Sequence, residues 1–126
     1  LNLQRTVNVK QYAPETFKKI RELHNIADED LVKSLDPAEN IGQIQKSGEG
    51  AGASGSFFFF SYDKRFIMKT MSKLEVDHMI RSLPNYYRHL VQNEKTFIAK
   101  IYGIHTIRID QFEPIHVMIM QNTDRI

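Results

Sequence analysis

Lys69 lies in the run Arg65–Met71, RFIMKTM. The two-residue period of a strand groups it with Arg65, Ile67 and Met71 on one face and puts Phe66, Met68 and Thr70 on the other. An ammonium between two apolar neighbours is either paired with charge or snorkels from an edge strand, because an unpaired buried charge is costly. Upstream, Gly48–Ser56 reads GEGAGASGS and holds four of the six glycines. Small residues let backbone N–H groups approach phosphate oxygens closely. Alone, this stretch reads as a linker. It matches neither the G-x-x-x-x-G-K-[ST] loop nor a strict G-x-G-x-x-G-x-V loop. Followed one hairpin later by a lysine-bearing strand, it suits a nucleotide grip. Glu75 is the first carboxylate after Lys69 and Asp77 the next. Either would suit as the lysine's ion-pair partner. Ser72-x-x-Glu75 is equally a capping box, in which the glutamate serves its own helix start.

The elements that must hold these groups follow from periodicity. Phe17, Ile20, Leu23 and His24 recur at helical spacing after Pro14, with Asn8–Tyr12 leading into them. A short helix is expected over Glu29–Leu35, ended by Asp36-Pro37, and a short strand over Asn40–Gln45. Ser56–Tyr62 and Arg65–Met71 read as a hairpin around Asp63-Lys64. Both strands are apolar on both faces, which predicts a central place in a sheet. Val76, Met79, Ile80 and Leu83 form a helical stripe; Pro84 interrupts or kinks it, and Tyr86–Val91 continues as helix. Phe97–Thr106 and Ile115–Gln121 are two more strands. The fold class expected is α+β, an antiparallel sheet with helices packed on one face.

Composition sets the outer limits. With 126 residues and 41% hydrophobic residues, one domain with a real core is expected. A net charge of +2 is too weak for a dedicated nucleic-acid binder. Lys18, Lys19, Arg21, Arg81, Arg88 and Lys95 read as solvated helix charges. The absence of cysteine excludes disulfides and cysteine-type zinc sites and fits a reducing compartment. The histidines at 24, 78, 89, 105 and 116 show no metal-ligand spacing, so no metal site is expected. Phe57–Phe60 is too short to span a bilayer, and the charged start lacks the apolar centre of a secretion signal. The start without Met suggests a piece of a longer protein.

A protein kinase uses the same order of loop, strand, turn and lysine-bearing strand. Specific segments narrow this. Tyr12-Ala13-Pro14 precedes a Phe-x-x-Ile-Arg helix; then come Gly52-Ala53-Ser54-Gly55-Ser56-Phe57, Arg65-Phe66-Ile67-Met68-Lys69-Thr70, Leu83-Pro84-Asn85-Tyr86-Tyr87, Tyr102-Gly103 and Met120-Gln121-Asn122. In these the chain resembles the amino-terminal lobe of the phosphatidylinositol phosphate kinases, over most of its length. It looks more like the type I branch, which phosphorylates phosphatidylinositol 4-phosphate on the 5-hydroxyl. The resemblance implies that residues 1–126 form the ATP-binding lobe. Gly52, Ala53, Ser54, Gly55 and Ser56 would cover the ATP phosphates, Lys69 would bind them, and Ile67 would roof the adenine. Met120, Gln121 and Asn122 would be the hinge, and an acidic residue commonly sits where Glu75 does.

The resemblance further implies magnesium held mainly by a second lobe, a phosphoinositide substrate at the cytosolic face of a membrane, and a possible homodimer through this lobe. Thr123, where an apolar residue is usual, and Glu49, beside the phosphate loop, depart from the family pattern. The chain ends after the hinge, so the catalytic and magnesium-binding aspartates of the second lobe are not in it, and the piece alone is expected to be inactive. The rival reading is a non-catalytic module that binds protein or membrane.

Overall fold

The computed structural model describes residues 6–36, 38–43, 57–93, 96 and 98–122. In chain order the elements are β1 (Val7–Gln11), α1 (Pro14–Leu23), α2 (Asp28–Ser34), α3 (residues 38–43), β2 (Phe58–Phe60), β3 (Phe66–Met71), α4 (Lys73–Gln92), β4 (Ile101–Ile109) and β5 (Ile115–Gln121). The five strands form one antiparallel sheet in the order β1-β4-β5-β3-β2. The class is α+β, as the alternating periods predict. Among the described residues no helix is long and apolar enough to cross a membrane.

The pleat divides the sheet into two faces. Phe59, Phe66, Met68, His105, Ile107, Val117 and Ile119 lie on one; Ile67, Lys69, Met71, Ile104, Met118 and Met120 lie on the other. Leu74 and Met79 of α4 line a groove with Met71 and Met118 on the second face. Leu35 and Asn40, from the α2–α3 region, meet Met68, His105 and Val117 on the first. The helices therefore serve both faces rather than one. This is why β4 and β5, covered above and below, show almost no polar alternation.

Local chemistry explains each helix boundary. Pro14 opens α1, where its missing N–H costs nothing. Phe17 and Ile20 are buried, and Arg21 donates from Nη1 to the Tyr102 carbonyl at 2.9 Å, tying α1 to β4. α4 runs unbroken through Pro84, with Val76, Leu83 and Leu90 buried at two-turn intervals.

Several expectations are corrected. Residues 40–43 are helical rather than extended, while residues 44 and 45 lie outside the described residues. Asp36 does more than end α2. Its side chain accepts from Ala38 N at 3.1 Å and its carbonyl from Asn40 N at 3.1 Å, which starts a new helix. The hairpin is also not central as a whole. β3 is interior, but β2 is the edge strand, with Phe58 58% and Phe60 46% exposed. The residues leading into α1 are themselves a strand, β1, which pairs with β4 from Val7↔Ile109 to Gln11↔His105. β4 starts at Ile101, later than expected, and carries a bulge at Tyr102, since Ile101 faces Met120 and Gly103 faces Ile119.

A polar cluster fastens the hairpin turn to the helices. Asn40 donates to the carbonyls of Ser34 (2.9 Å) and Asp36 (2.8 Å) and accepts from Tyr62 N (3.0 Å). Asp63 accepts from Ser34 Oγ, Ser61 Oγ and Arg65 N. Burial works against the Asp63 carboxylate, but these three hydrogen bonds and the Arg65 charge outweigh it and hold its pKa below the usual value. Asn40→Ala leaves buried partners unsatisfied on two elements and is expected to cost about 2–4 kcal/mol, read from urea unfolding.

His105 is buried on the first face, and burial, aided by the nearby Arg21 charge, pushes its pKa down to about 4. Between about 4 and the unperturbed 6.5 the unfolded chain binds the proton that the folded chain refuses. The His105 contribution to stability is therefore complete above about 6.5, falls as pH drops towards 4, and then levels. The loss should reach on the order of 3 kcal/mol. His105→Gln should flatten most of that slope in denaturation curves taken across this range. The part left belongs to His24 and His116, whose pKa values burial also lowers.

Candidate functional site

Lys69 stands on β3 between Phe58 of β2 and Met118 of β5, its direct cross-strand partners. It is half-buried, and its Nζ lies 5.8 Å from the Phe58 ring centroid. Two residues along, Ile67 pairs with Met120 on the same face. The lysine thus opens onto a groove of about 340 Å³ lined by Met71, Glu75, His78, Met79 and Met118 among others. Ile67 and Met120 extend the same side with apolar surface. A flat base would find apolar contact there, and an anion would find the ammonium.

Glu75 serves the helix start directly. Its Oε1 accepts from Ser72 N at 3.0 Å, and its own N–H donates to Ser72 Oγ at 3.1 Å, a complete capping box. Its carboxyl is held below the usual range first by the Ser72 N–H bond, against a smaller effect of burial, and finally by the charge of Lys69. The cap is formed, and the Lys69 charge adds only the smallest of the effects on the carboxylate. The carboxylate stays at the cap within the field of Lys69, and among the described residues Lys69 makes no ion pair within 4 Å. Asp77, the alternative partner, is taken by Lys73 Nζ at 2.9 Å.

The three residues expected to form a hinge differ in what they do. Met120 faces Ile67 and Ile101. Gln121 donates its N–H to the Lys100 carbonyl at 2.9 Å. Asn122 is buried, and its Nδ2 donates to the Lys64 carbonyl at 2.8 Å, bracing the β2–β3 turn where Lys64 has φ 60°. Its side chain is thus turned to the fold. Gly52–Ser56 lie outside the described residues. The chain beyond them is pinned: Phe57 N donates to Thr70 Oγ1 and Thr70 N to the Phe57 carbonyl, both at 2.9 Å. Thr70 therefore anchors the end of the glycine-rich segment one residue from Lys69.

Met71 lies on the Lys69 face by strand period, and Met118 and Met79 join it in the groove through the β3–β5 register and the packing of α4. No group of three or more metal-binding side chains occurs among the described residues.

A lysine on an inner strand, beside a capped helix and under an antiparallel five-stranded sheet, is an architecture consistent with the amino-terminal lobe of a kinase. The chain belongs to the phosphatidylinositol-4-phosphate 5-kinase family, whose sequence profile matches residues 42–125. It is 32% identical over 113 residues to phosphatidylinositol 4-phosphate 5-kinase 8 of Arabidopsis thaliana, 90% of this chain and 14% of that protein. The enzyme of the same name designated its3 in Schizosaccharomyces pombe is 34% identical, covering 90% of this chain and 15% of its own length. The type-1 alpha kinase of Rattus norvegicus is 36% identical, covering 90% and 20%. The chain thus spans between a seventh and a fifth of these relatives.

Ser72→Ala removes the acceptor for Glu75 N and should lower stability by about 1 kcal/mol in chemical denaturation. Lys69→Met, which spares the cap, should leave stability nearly unchanged in the same measurement.

Proposed function

We propose that residues 1–126 are the ATP-binding lobe of a lipid kinase that phosphorylates phosphatidylinositol 4-phosphate on its 5-hydroxyl. The reading is supported most by one observation: Lys69 opens onto the groove beside Ile67 and Met120, and among the described residues no acidic side chain closes on it within 4 Å. Bound ATP would supply the transferable γ-phosphoryl. In this reading the Lys69 ammonium binds and orients the phosphates, and Glu75, ionised at its cap, biases the ammonium towards the groove. Ile67 and Met120 cover the adenine, backbone groups of Met120–Asn122 meet its edge, and Gly52–Ser56 close over the phosphates. Catalysis then rests on positioning and charge neutralisation. Magnesium would be held mainly by acidic groups outside this chain. The parent would work as a peripheral protein at the cytosolic membrane face, with a phosphoinositide as partner and as a homodimer through this lobe.

In the intact parent, Lys69→Ala should lower kcat at least about a hundredfold, with the circular dichroism spectrum and unfolding midpoint kept. Undiminished turnover would remove Lys69 from the mechanism. The 126-residue chain alone should show no ATP-dependent conversion of phosphatidylinositol 4-phosphate; measurable turnover would refute the division of labour.

A second reading, a non-catalytic binding module, draws on the edge position of β2 with Phe58, Phe60 and Tyr62 exposed. It requires Lys69→Ala to leave the parent's function intact.

A further inference from the structure

The groove side of the sheet carries a second concentration of charge, away from β3. Tyr12, just past β1, has Lys10 Nζ 4.9 Å and Lys73 Nζ 5.3 Å from its ring centroid. Its hydroxyl is within 2.8 Å of Thr106 Oγ1, which is within 2.7 Å of His116 Nδ1. Register sets these in a row: Lys10 pairs with Thr106, and Thr106 with His116. Arg108 follows two residues after Thr106 on the same face, on the diagonal from Lys10. Lys73 and Arg108 both act on the His116 ring, as does Asp77 with opposite sign. Four elements, β1, β4, β5 and the start of α4, thus bring three fixed cations to one corner, with the Asp77 carboxylate among them and Asp110 just past Arg108.

This arrangement is costly in isolation. Like charges close together on a sheet repel. Among the described residues neither Lys10 nor Arg108 makes an ion pair, and Asp77 offsets only Lys73. Against the three cations stand Asp77, held by Lys73, and Asp110, two residues beyond Arg108 and bonded to Thr6 N, so the corner keeps a net positive charge at neutral pH, the sign a phosphate group needs. The donors match as well: two ammonium groups over an aromatic ring whose hydroxyl is tied to Thr106 and through it to His116, and a guanidinium on the adjoining strand, all exposed.

We propose that this corner binds a phosphate group, held by Lys10, Lys73 and Arg108 beside Tyr12. The site is separate from the Lys69 groove and does not depend on the role proposed for that lysine. The phosphate could be a free ion or the monoester headgroup of a lipid, and the same side chains would recognise both.

The test uses the intact parent at low salt and pH 7.5. Equilibrium dialysis with radiolabelled inorganic phosphate should give a site that persists in Lys69→Ala. It should weaken about tenfold in Lys10→Gln and in Arg108→Gln, and more in the double variant. Both side chains are exposed, so these variants keep the fold. Phosphate binding that ignores the double variant, or that vanishes in Lys69→Ala, would overturn the proposal. Flotation with vesicles of phosphatidylcholine, with and without a lipid bearing a phosphate monoester, separates the sources. Recovery that needs the monoester, is competed by free phosphate and is lost in the double variant assigns the site to a headgroup. Dialysis binding without such recovery assigns it to the free ion. Vesicle binding that the double variant leaves unchanged, with no phosphate bound in dialysis, would count against the site altogether.

Discussion

The pleat of β3 is the constraint on which the rest depends. A strand has only two sides, and Phe66 and Met68 are committed to the buried face against Ile119 and its neighbours. Lys69, between Met68 and Thr70, has no other place than the groove. A slip of one residue would drive an ammonium into the core and expose two large apolar side chains, a loss of several kcal/mol. The lysine is therefore placed by the burial of its neighbours, and pairing on both sides makes the placement stiff.

The polar cluster at Asn40, Ser34, Ser61 and Asp63 does for the hairpin turn what the core does for the strands. Edge strand β2 has only three residues and one neighbour, so ladder pairing alone would hold it weakly. Hydrogen bonds from two helices and from Asn122 fix the turn from outside the sheet. The Thr70–Phe57 pair fixes its other end. The exposed aromatics of β2 are thus carried on a strand secured at both ends.

Much of this was legible from local pattern. The helical stripe of α4, its Ser72-x-x-Glu75 box, the β2–β3 hairpin and the side of β3 that bears Lys69 all follow from spacing. β1 was not, because Val7-Asn8-Val9-Lys10-Gln11 is short, half polar and becomes a strand only by pairing with residues about a hundred positions away. α3 was misread because Ile41 and Ile44 are spaced as a helix allows while their neighbours suggest a short strand. The open choice between cap and ion pair for Glu75 needed side-chain distances. Met118 beside Lys69, and the convergence of Lys10, Arg108 and His116, exist only through register between strands far apart in sequence, which no local window contains.

The bulge at Tyr102 has a consequence for chain length. One supernumerary residue reverses the parity of everything before it, so Ile101 and Gly103 look to opposite sides although they are two apart. Tyr102 itself meets Phe66 edge-on and receives Arg21 at its carbonyl. Gly103 leaves room for the His105 ring, whose Nε2 would lie 2.9 Å from any added Cβ. A deletion here would therefore not merely shorten a strand. It would exchange inside for outside along the approach to β4, so this short stretch tolerates changes of residue better than changes of count.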